Sequence, residues 1–182
     1  MLFRSVHLGG ISFGSMYALT VYGEHPQLVR SLLLVSAYAG WVGSLPPDEV
    51  ERRLRWADMA FTTPVDEWGP AFVRSVYGGN APQAVLDEAL ADLRESRPHR
   101  FAPIGRAFLP ADLRDVLPRI AVPTLLVSGE LDERSPVSVS AELQRQIRGA
   151  ELIVVPGAGH AVNTAAAVFN AAARRFLAAH PA

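Results

Sequence analysis

Three residues of this sequence, Ser12, Asp132 and His160, have side chains that can combine into an activated nucleophile. Ser12 lies at the centre of GISFG (10–14), which matches the pattern G-x-S-x-G and separates an apolar run from a helical one. A serine in such a sharp strand-to-helix turn exposes its hydroxyl at the tip of the strand. Glycines two positions to either side remove side chains that would collide at the turn. The pattern therefore predicts a nucleophile elbow centred on Ser12.

A serine hydroxyl needs a base to become nucleophilic, and the base needs an orienting acid. His160 lies in the glycine-bracketed loop of VPGAGHAVN, and Asp132 lies three residues beyond Gly129 in SGELDERSP. Both follow apolar runs, and sites in open α/β sheets collect at the carboxyl ends of strands. Glu130 and Glu133 are alternatives for the acid. The spacing G-x-x-D-x-x-x-P favours Asp132, because it places this residue in the loop before a helix.

The elements that must position these residues alternate along the chain. Short apolar runs typical of strands buried on both faces occupy 5–10, 31–37, 123–129 and 150–157. Helical patterns occupy 13–24, 136–148 and 164–179. This alternation predicts an α/β fold built on a parallel sheet.

The alternation of strands and helices is interrupted between the second and third predicted strands. Residues 45–118 contain no convincing strand pattern, and helices are predicted at 47–61, 64–77, 82–96 and 103–117. We therefore expect a sheet-based core formed by 1–44 and 119–182, with an inserted all-helical cap at 45–118.

The composition limits the classes of function that remain. The 182 residues carry a formal net charge of −1, which gives no indication of a nucleic-acid or acidic-membrane partner. The sequence has no cysteine, so disulfides and thiolate metal sites are excluded. It has no apolar run of about 18 residues and no signal-peptide pattern. We expect a cytoplasmic protein without a metal, whose partner is a small molecule rather than a nucleic acid or a membrane.

The segments VHLGGISFGS, HPQLVRSLLLVSAYAGW, LPRIAVPTLLVSGELDERSP and LIVVPGAGHAVN resemble the elbow, sixth-strand, acid and histidine segments of the α/β-hydrolase superfamily. The sequence is most similar in character to bacterial enol-lactonases and small-ester hydrolases, such as 3-oxoadipate enol-lactonase-like proteins. The resemblance implies hydrolysis of a carboxylic ester or lactone through an acyl-enzyme, with no cofactor. It makes Ser12 the nucleophile, His160 the general base and then acid, and Asp132 the orienter. The backbone N–H of Phe13 would belong to the oxyanion hole.

The inserted segment is expected to supply a partly apolar substrate pocket above the nucleophile. The aromatic side chains expected to line it are Trp41, Trp56, Trp68 and Phe108. Arg100 and Arg106 are candidates to meet a substrate carboxylate, although solvated arginines on a helix surface are the commoner case.

The resemblance covers only the C-terminal portion of the family's fold. In the family the nucleophile follows the fifth strand, so this sequence is expected to match the last four strands and to lack the loop that supplies the second oxyanion donor. The strand at 5–10 is then expected at a sheet edge, which favours self-association and low activity. Ser15 replaces a second glycine common in relatives, with little expected consequence. Two alternatives stay open: a non-catalytic, receptor-like ligand-binding module and an inactive hydrolase fragment.

Overall fold

The alternating apolar runs form a parallel sheet in the computed structural model, which describes residues 4–78 and 81–181. The strands are β1 (Val6–Ile11), β2 (Val29–Val35), β3 (Thr124–Gly129) and β4 (Glu151–Val155). Within the described residues they form one sheet in the order β1-β2-β3-β4, and every neighbouring pair is parallel. The predicted α/β class with a parallel sheet is confirmed.

The helices connect the strands or follow them. They are α1 (Phe13–Glu24), α2 (Pro47–Thr62), α3 (Val65–Tyr77), α4 (Gln83–Glu95), α5 (Ala102–Phe108), α6 (Val137–Gln146) and α7 (Ala166–Ala179). Proline marks the start of four of them, since the residues directly before α2, α3, α4 and α6 are Pro46, Pro64, Pro82 and Pro136. A proline ring fixes φ near the helical value and needs no hydrogen-bond acceptor, so it suits a helix start.

Helices pack on both faces of the sheet around β3. On one face, Leu19 of α1 and Leu143 of α6 belong to the same buried cluster as Leu126 of β3. On the other face, Phe176 of α7 packs in a cluster with Val127 of β3. All six residues of β3 are buried as a result, which explains the continuous apolar run in the sequence. A sheet covered in this way holds the carboxyl ends of its strands rigidly at one edge.

The segment between β2 and β3 is helical, but one predicted helix is shorter than expected. The helix predicted at 103–117 ends at Phe108 in the structure. Pro110 has no amide hydrogen and cannot continue the helical hydrogen-bond ladder. The backbone beyond it pairs with the loop after β2 instead, where the N–H of Leu113 donates to the carbonyl of Ala39 at 2.8 Å. This pairing fastens the end of the helical segment to the sheet.

The helical segment packs over the turn that follows β1. A third buried cluster joins Met16 of α1 to Trp41, Ala57 of α2 and Leu109. The carboxyl ends of the strands are therefore partly covered by the helices from α2 to α5.

Candidate active site

Ser12 occupies a strained turn between β1 and α1. Its backbone has φ of 52° and ψ of −116°, although residues other than glycine uncommonly adopt positive φ. Its N–H donates to the carbonyl of Val35 at the end of β2, at 2.8 Å. Phe13 is the first residue of α1, so its N–H has no carbonyl partner within the helix. The turn thus presents the Ser12 hydroxyl beside a helix-start amide that has no partner within the helix.

The two glycines of the elbow differ in the space available for a Cβ atom. A Cβ at Gly10 would lie 2.2 Å from the carbonyl oxygen of Gly14 and 2.6 Å from the amide nitrogen of Ser15. A Cβ at Gly14 would meet no atom within 4 Å outside the backbone of its own helix. The expectation that both glycines relieve a collision is therefore correct for Gly10 only. At Gly14 it is wrong, since its own added Cβ would point into open space.

We expect Gly10→Ala to lower the free energy of unfolding by about 1–3 kcal/mol, because the added methyl group forces the turn apart. Gly14→Ala, the matched control, should leave it unchanged or raise it by up to about 1 kcal/mol, because alanine favours a helix. Urea unfolding followed by circular dichroism would measure both changes. Equal losses of unfolding free energy in the two variants would contradict the conclusion that a Cβ collides at position 10 but not at position 14.

The structure brings Ser12, His160 and Asp132 together in one hydrogen-bonded row. The Nε2 atom of His160 lies 2.8 Å from the hydroxyl oxygen of Ser12. The Nδ1 atom lies 2.9 Å and 3.0 Å from the two carboxylate oxygens of Asp132. An ionised carboxylate only accepts hydrogen bonds, so Nδ1 carries the proton and Nε2 presents its lone pair to the serine. This arrangement can accept a proton from Ser12.

Asp132 is held as a buried carboxylate by the loop after β3. One of its oxygens accepts the backbone N–H groups of Arg134 at 2.9 Å and Ser135 at 2.8 Å. Burial alone raises the pKa of Asp132. The hydrogen bond and charge interaction with His160, helped by the Ser135 amide, outweigh burial and hold that pKa below its usual value. The residue is therefore suited to orient His160 while staying ionised.

Neither alternative acid contacts the histidine. Glu130 accepts the backbone N–H of Gly157 at 2.8 Å and so fastens the start of the His160 loop. Glu133 is exposed. Among the three carboxylates considered from the sequence, Asp132 is the one hydrogen-bonded to His160.

Sequence reasoning missed Ser36, which follows β2 and adopts a positive φ of 45°. Its buried hydroxyl donates to the backbone carbonyl of His160 at 2.9 Å. Gly129 permits the close approach of the same loop, because a Cβ there would lie 2.2 Å from the carbonyl oxygen of Gly159. A small polar residue directly after a strand was the available signal, but its partner is 124 positions away in the sequence.

Ser15 has a larger role than its small size suggested. Its buried hydroxyl donates to the carbonyl of Ser12 at 2.5 Å and accepts the N–H of Tyr38 at 3.1 Å. The side chain ties the elbow to the loop after β2, which a glycine at this position could not do. These two hydrogen bonds were not part of the expectation, which considered only the small size of Ser15.

A cavity of about 290 Å³ opens beside Ser12, and its wall is mainly apolar. Three of the aromatic residues expected around a pocket, Trp41, Trp56 and Trp68, line it. The rings of Trp56 and Trp68 meet edge to face with centroids 5.6 Å apart. Phe13 also lies on the wall, next to Ser12.

Phe108 does not lie among the residues that line this cavity, which corrects the sequence-based expectation. Its ring packs on Tyr17 of α1 at a centroid distance of 4.6 Å and on Phe13 at 6.1 Å. Phe108 thus supports the cavity from behind. Its aromatic side chain made it a candidate for the pocket wall, but only the fold decides which apolar neighbour covers the ring.

The arginines expected to meet a substrate carboxylate are not on the cavity wall either. Arg106 is ion-paired with Asp58 at 2.8 Å on an exposed surface, and Arg100 does not line the cavity. The arginine that does line it is Arg134, which comes two residues after Asp132 in the same loop.

Neither a candidate metal cluster nor a membrane-spanning helix is found in the part of the chain that the structure describes. Residues 4–78 and 81–181 contain no group of three or more histidine, cysteine, aspartate or glutamate side chains able to hold a metal ion. None of the helices in those ranges is long and apolar enough to cross a membrane.

A parallel sheet with a strained serine after one strand and a histidine–carboxylate pair after two others is the arrangement of an α/β-hydrolase. The model of the alpha/beta hydrolase family matches residues 2–172, and the chain belongs to that family.

The similar proteins include hydrolases, a putative non-heme chloroperoxidase and a plant receptor, the karrikin insensitive 2 receptor IA of Petunia hybrida. The chain is 30% identical over 182 residues to the putative carbamate hydrolase RutD of Klebsiella pneumoniae, covering 94% of this chain and 65% of the relative. It is 31% identical over 157 residues to the pimeloyl-[acyl-carrier protein] methyl ester esterase of Neisseria meningitidis, covering 84% and 50%. The chain thus spans about half to two thirds of the length of these two relatives.

The fold is shared with a solved enol-lactonase from Burkholderia xenovorans, with a TM-score of 0.84 at 22% sequence identity. The match covers 97% of this chain and 66% of that one.

Proposed function

We propose that this chain is a serine hydrolase that cleaves carboxylic esters or lactones through an acyl-enzyme. The observation that carries the proposal is the distance of 2.8 Å between the Ser12 hydroxyl and Nε2 of a histidine whose other nitrogen is held by Asp132. A serine hydroxyl becomes nucleophilic when such a base removes its proton during attack. The family's esterase relatives support the same reaction class.

In the proposed reaction, Ser12 Oγ bonds to the carbonyl carbon while its proton passes to Nε2 of His160. The bond to the leaving alkoxide then breaks, the alkoxide takes that proton, and the acyl group stays on Ser12. A water molecule then gives a proton to Nε2 as its oxygen bonds to the acyl carbon. The bond from that carbon to Ser12 Oγ breaks, Oγ takes the proton from Nε2, and the carboxylic acid leaves. The N–H of Phe13 donates to the oxyanion in both halves. In a lactone, the leaving alkoxide stays attached to the acyl group.

We further propose that residues 45–118 act as a cap on a core formed by 1–44 and 119–182. The helices of this segment supply Trp56 and Trp68 to the cavity beside Ser12. A cavity of about 290 Å³ with an aromatic wall suits a small or medium-sized substrate.

Turnover of p-nitrophenyl acetate, short alkyl esters and small lactones tests this function. We expect hydrolysis by the chain, its loss in Ser12→Ala, and its retention in Ser138→Ala, which changes an exposed serine on α6. Ligands that raise the melting temperature without being hydrolysed would overturn the proposal in favour of a receptor-like binding module. Equal turnover by wild type and Ser12→Ala would overturn the assignment of Ser12.

We also propose that the 182-residue chain self-associates through β1. Within residues 4–78 and 81–181, β1 pairs with β2 alone, and Val6 and Ile11 are 47% and 40% exposed. An apolar strand with a free edge is a template for pairing with a second copy. Light scattering should show a dimer or larger species. We expect Val6→Lys to weaken this association and Val168→Lys, at an exposed position of α7, to leave it unchanged. A wild-type monomer at every concentration would contradict this.

A further inference from the structure

Arg134 is a half-buried cation without a carboxylate partner. Its guanidinium lies over the ring of Phe72, 4.8 Å from the centroid, and donates to the hydroxyl of Ser75 at 3.0 Å. In the described ranges, 4–78 and 81–181, it forms no ion pair. Burial lowers the pKa of Arg134, the sign of a charge withdrawn from water without full compensation. An anion bound beside the guanidinium would offset the free-energy cost of removing its charge from water.

The neighbouring charges leave Arg134 available. Arg52 and Arg53 are both paired with Glu49, and Arg53 also donates to the hydroxyl of Tyr38. The carboxylate of Asp132 is occupied by His160 and two backbone amides. Asp132, two positions before Arg134 in the sequence, is therefore already engaged.

Arg134 also stands at the junction of two cavities. It lines the apolar cavity that contains Ser12, and it lines a neighbouring cavity of about 280 Å³. Trp41 and Trp56 belong to both walls, so the two cavities share an apolar indole surface next to the guanidinium. Glu133 lies on the second cavity and would repel an anion that moved beyond Arg134.

From these contacts, and resting on the proposed function, we propose that Arg134 binds a free carboxylate at the far end of the substrate's acyl chain. The preferred substrates would then be half-esters of linear dicarboxylic acids. A guanidinium offers two parallel N–H groups that match a carboxylate, and the contacts with Phe72 and Ser75 fix its orientation. Because the carboxylate is on the acyl side, it stays bound at Arg134 in the acyl-enzyme as well as in the first complex.

Binding to Ser12→Ala separates recognition from turnover. Calorimetric titration would compare the monomethyl esters of succinic, glutaric and adipic acids with neutral methyl esters of the same chain lengths. We expect at least one half-ester to bind more tightly than its neutral match. Adding Arg134→Gln should weaken that binding about 10–100-fold, the loss typical of a hydrogen bond to a charged group, and change neutral-ester binding less than about threefold. Arg134→Lys should restore part of the affinity.

Arg106→Gln is the matched control, because this arginine is paired with Asp58 outside the cavity. It should leave both classes of ester unaffected. Equal affinity for charged and neutral esters, or equal losses for both in Arg134→Gln, would overturn the inference.

Hydrolysis by the chain with Ser12 intact then distinguishes the two proposals. Arg134-dependent binding without turnover would support this inference and overturn the proposed hydrolysis. Turnover of charged and neutral esters that Arg134→Gln affects alike would support hydrolysis and overturn the role of Arg134.

Discussion

Replacing His160 with glutamine is expected to lower kcat/KM for p-nitrophenyl acetate by about 10⁴-fold or more, which brings hydrolysis close to the background rate. The reason is geometric and chemical. Nε2 of His160 lies 2.8 Å from the Ser12 hydroxyl, and a glutamine amide cannot accept and return the proton at neutral pH. Release of p-nitrophenol measures the rate.

His25→Gln is the matched control for this variant. His25 is exposed at the end of α1 and does not line the cavity beside Ser12. It should retain the wild-type rate within about threefold, as expected for a surface substitution away from the site. A His160→Gln variant with wild-type activity would contradict the assignment of the base.

Asp132→Asn is expected to lower kcat/KM by about 10³–10⁴-fold without disrupting the fold. An asparagine amide can donate to Nδ1 of His160, which moves the ring proton to Nε2 and removes the acceptor for the Ser12 hydroxyl. Glu133→Gln, an exposed neighbour in the same loop, should change the rate for a neutral ester less than about threefold. Equal losses in the two variants would contradict the choice of Asp132.

The Asp132 carboxylate is expected to contribute to the loss of fold stability at low pH. The pKa of Asp132 is lower in the folded chain than its usual value of 3.8. Its ionised form therefore stabilises the fold above that value, and the contribution is lost as the pH falls through the lower folded pKa. Thermal unfolding from pH 6 down to pH 2.5 should show a shallower acid decline in Asp132→Asn than in wild type. Identical declines would mean that Asp132 is not held ionised.

The three residues of the proposed triad could be predicted from the sequence because their signals are local. Ser12 is marked by its glycine pattern, and Asp132 and His160 each follow an apolar run that must end in a loop. A parallel sheet then brings the ends of these strands to one edge, so their meeting follows from the topology. The hydrogen-bonded row has the order that this reasoning gives.

The supporting residues could not be predicted, because their roles depend on distant partners. Ser36 contacts the carbonyl of His160, and Ser15 contacts Tyr38; neither partner is near in the sequence. Arg134 forms no ion pair in the described part of the chain. This lack of a partner is visible only in the three-dimensional arrangement. Phe108 has the right residue type for a pocket but packs behind one.

Covalent labelling of the reactive serine tests whether Ser12 is the nucleophile. A fluorophosphonate probe, followed by peptide mapping with mass spectrometry, reports which serine becomes phosphonylated. We expect one adduct per chain on the peptide containing Ser12, located on that residue by fragmentation. The adduct should be absent in Ser12→Ala and form much more slowly in His160→Gln. An adduct on Ser15 or Ser36, or labelling of Ser12→Ala at the wild-type rate, would contradict the assignment of Ser12 as the nucleophile.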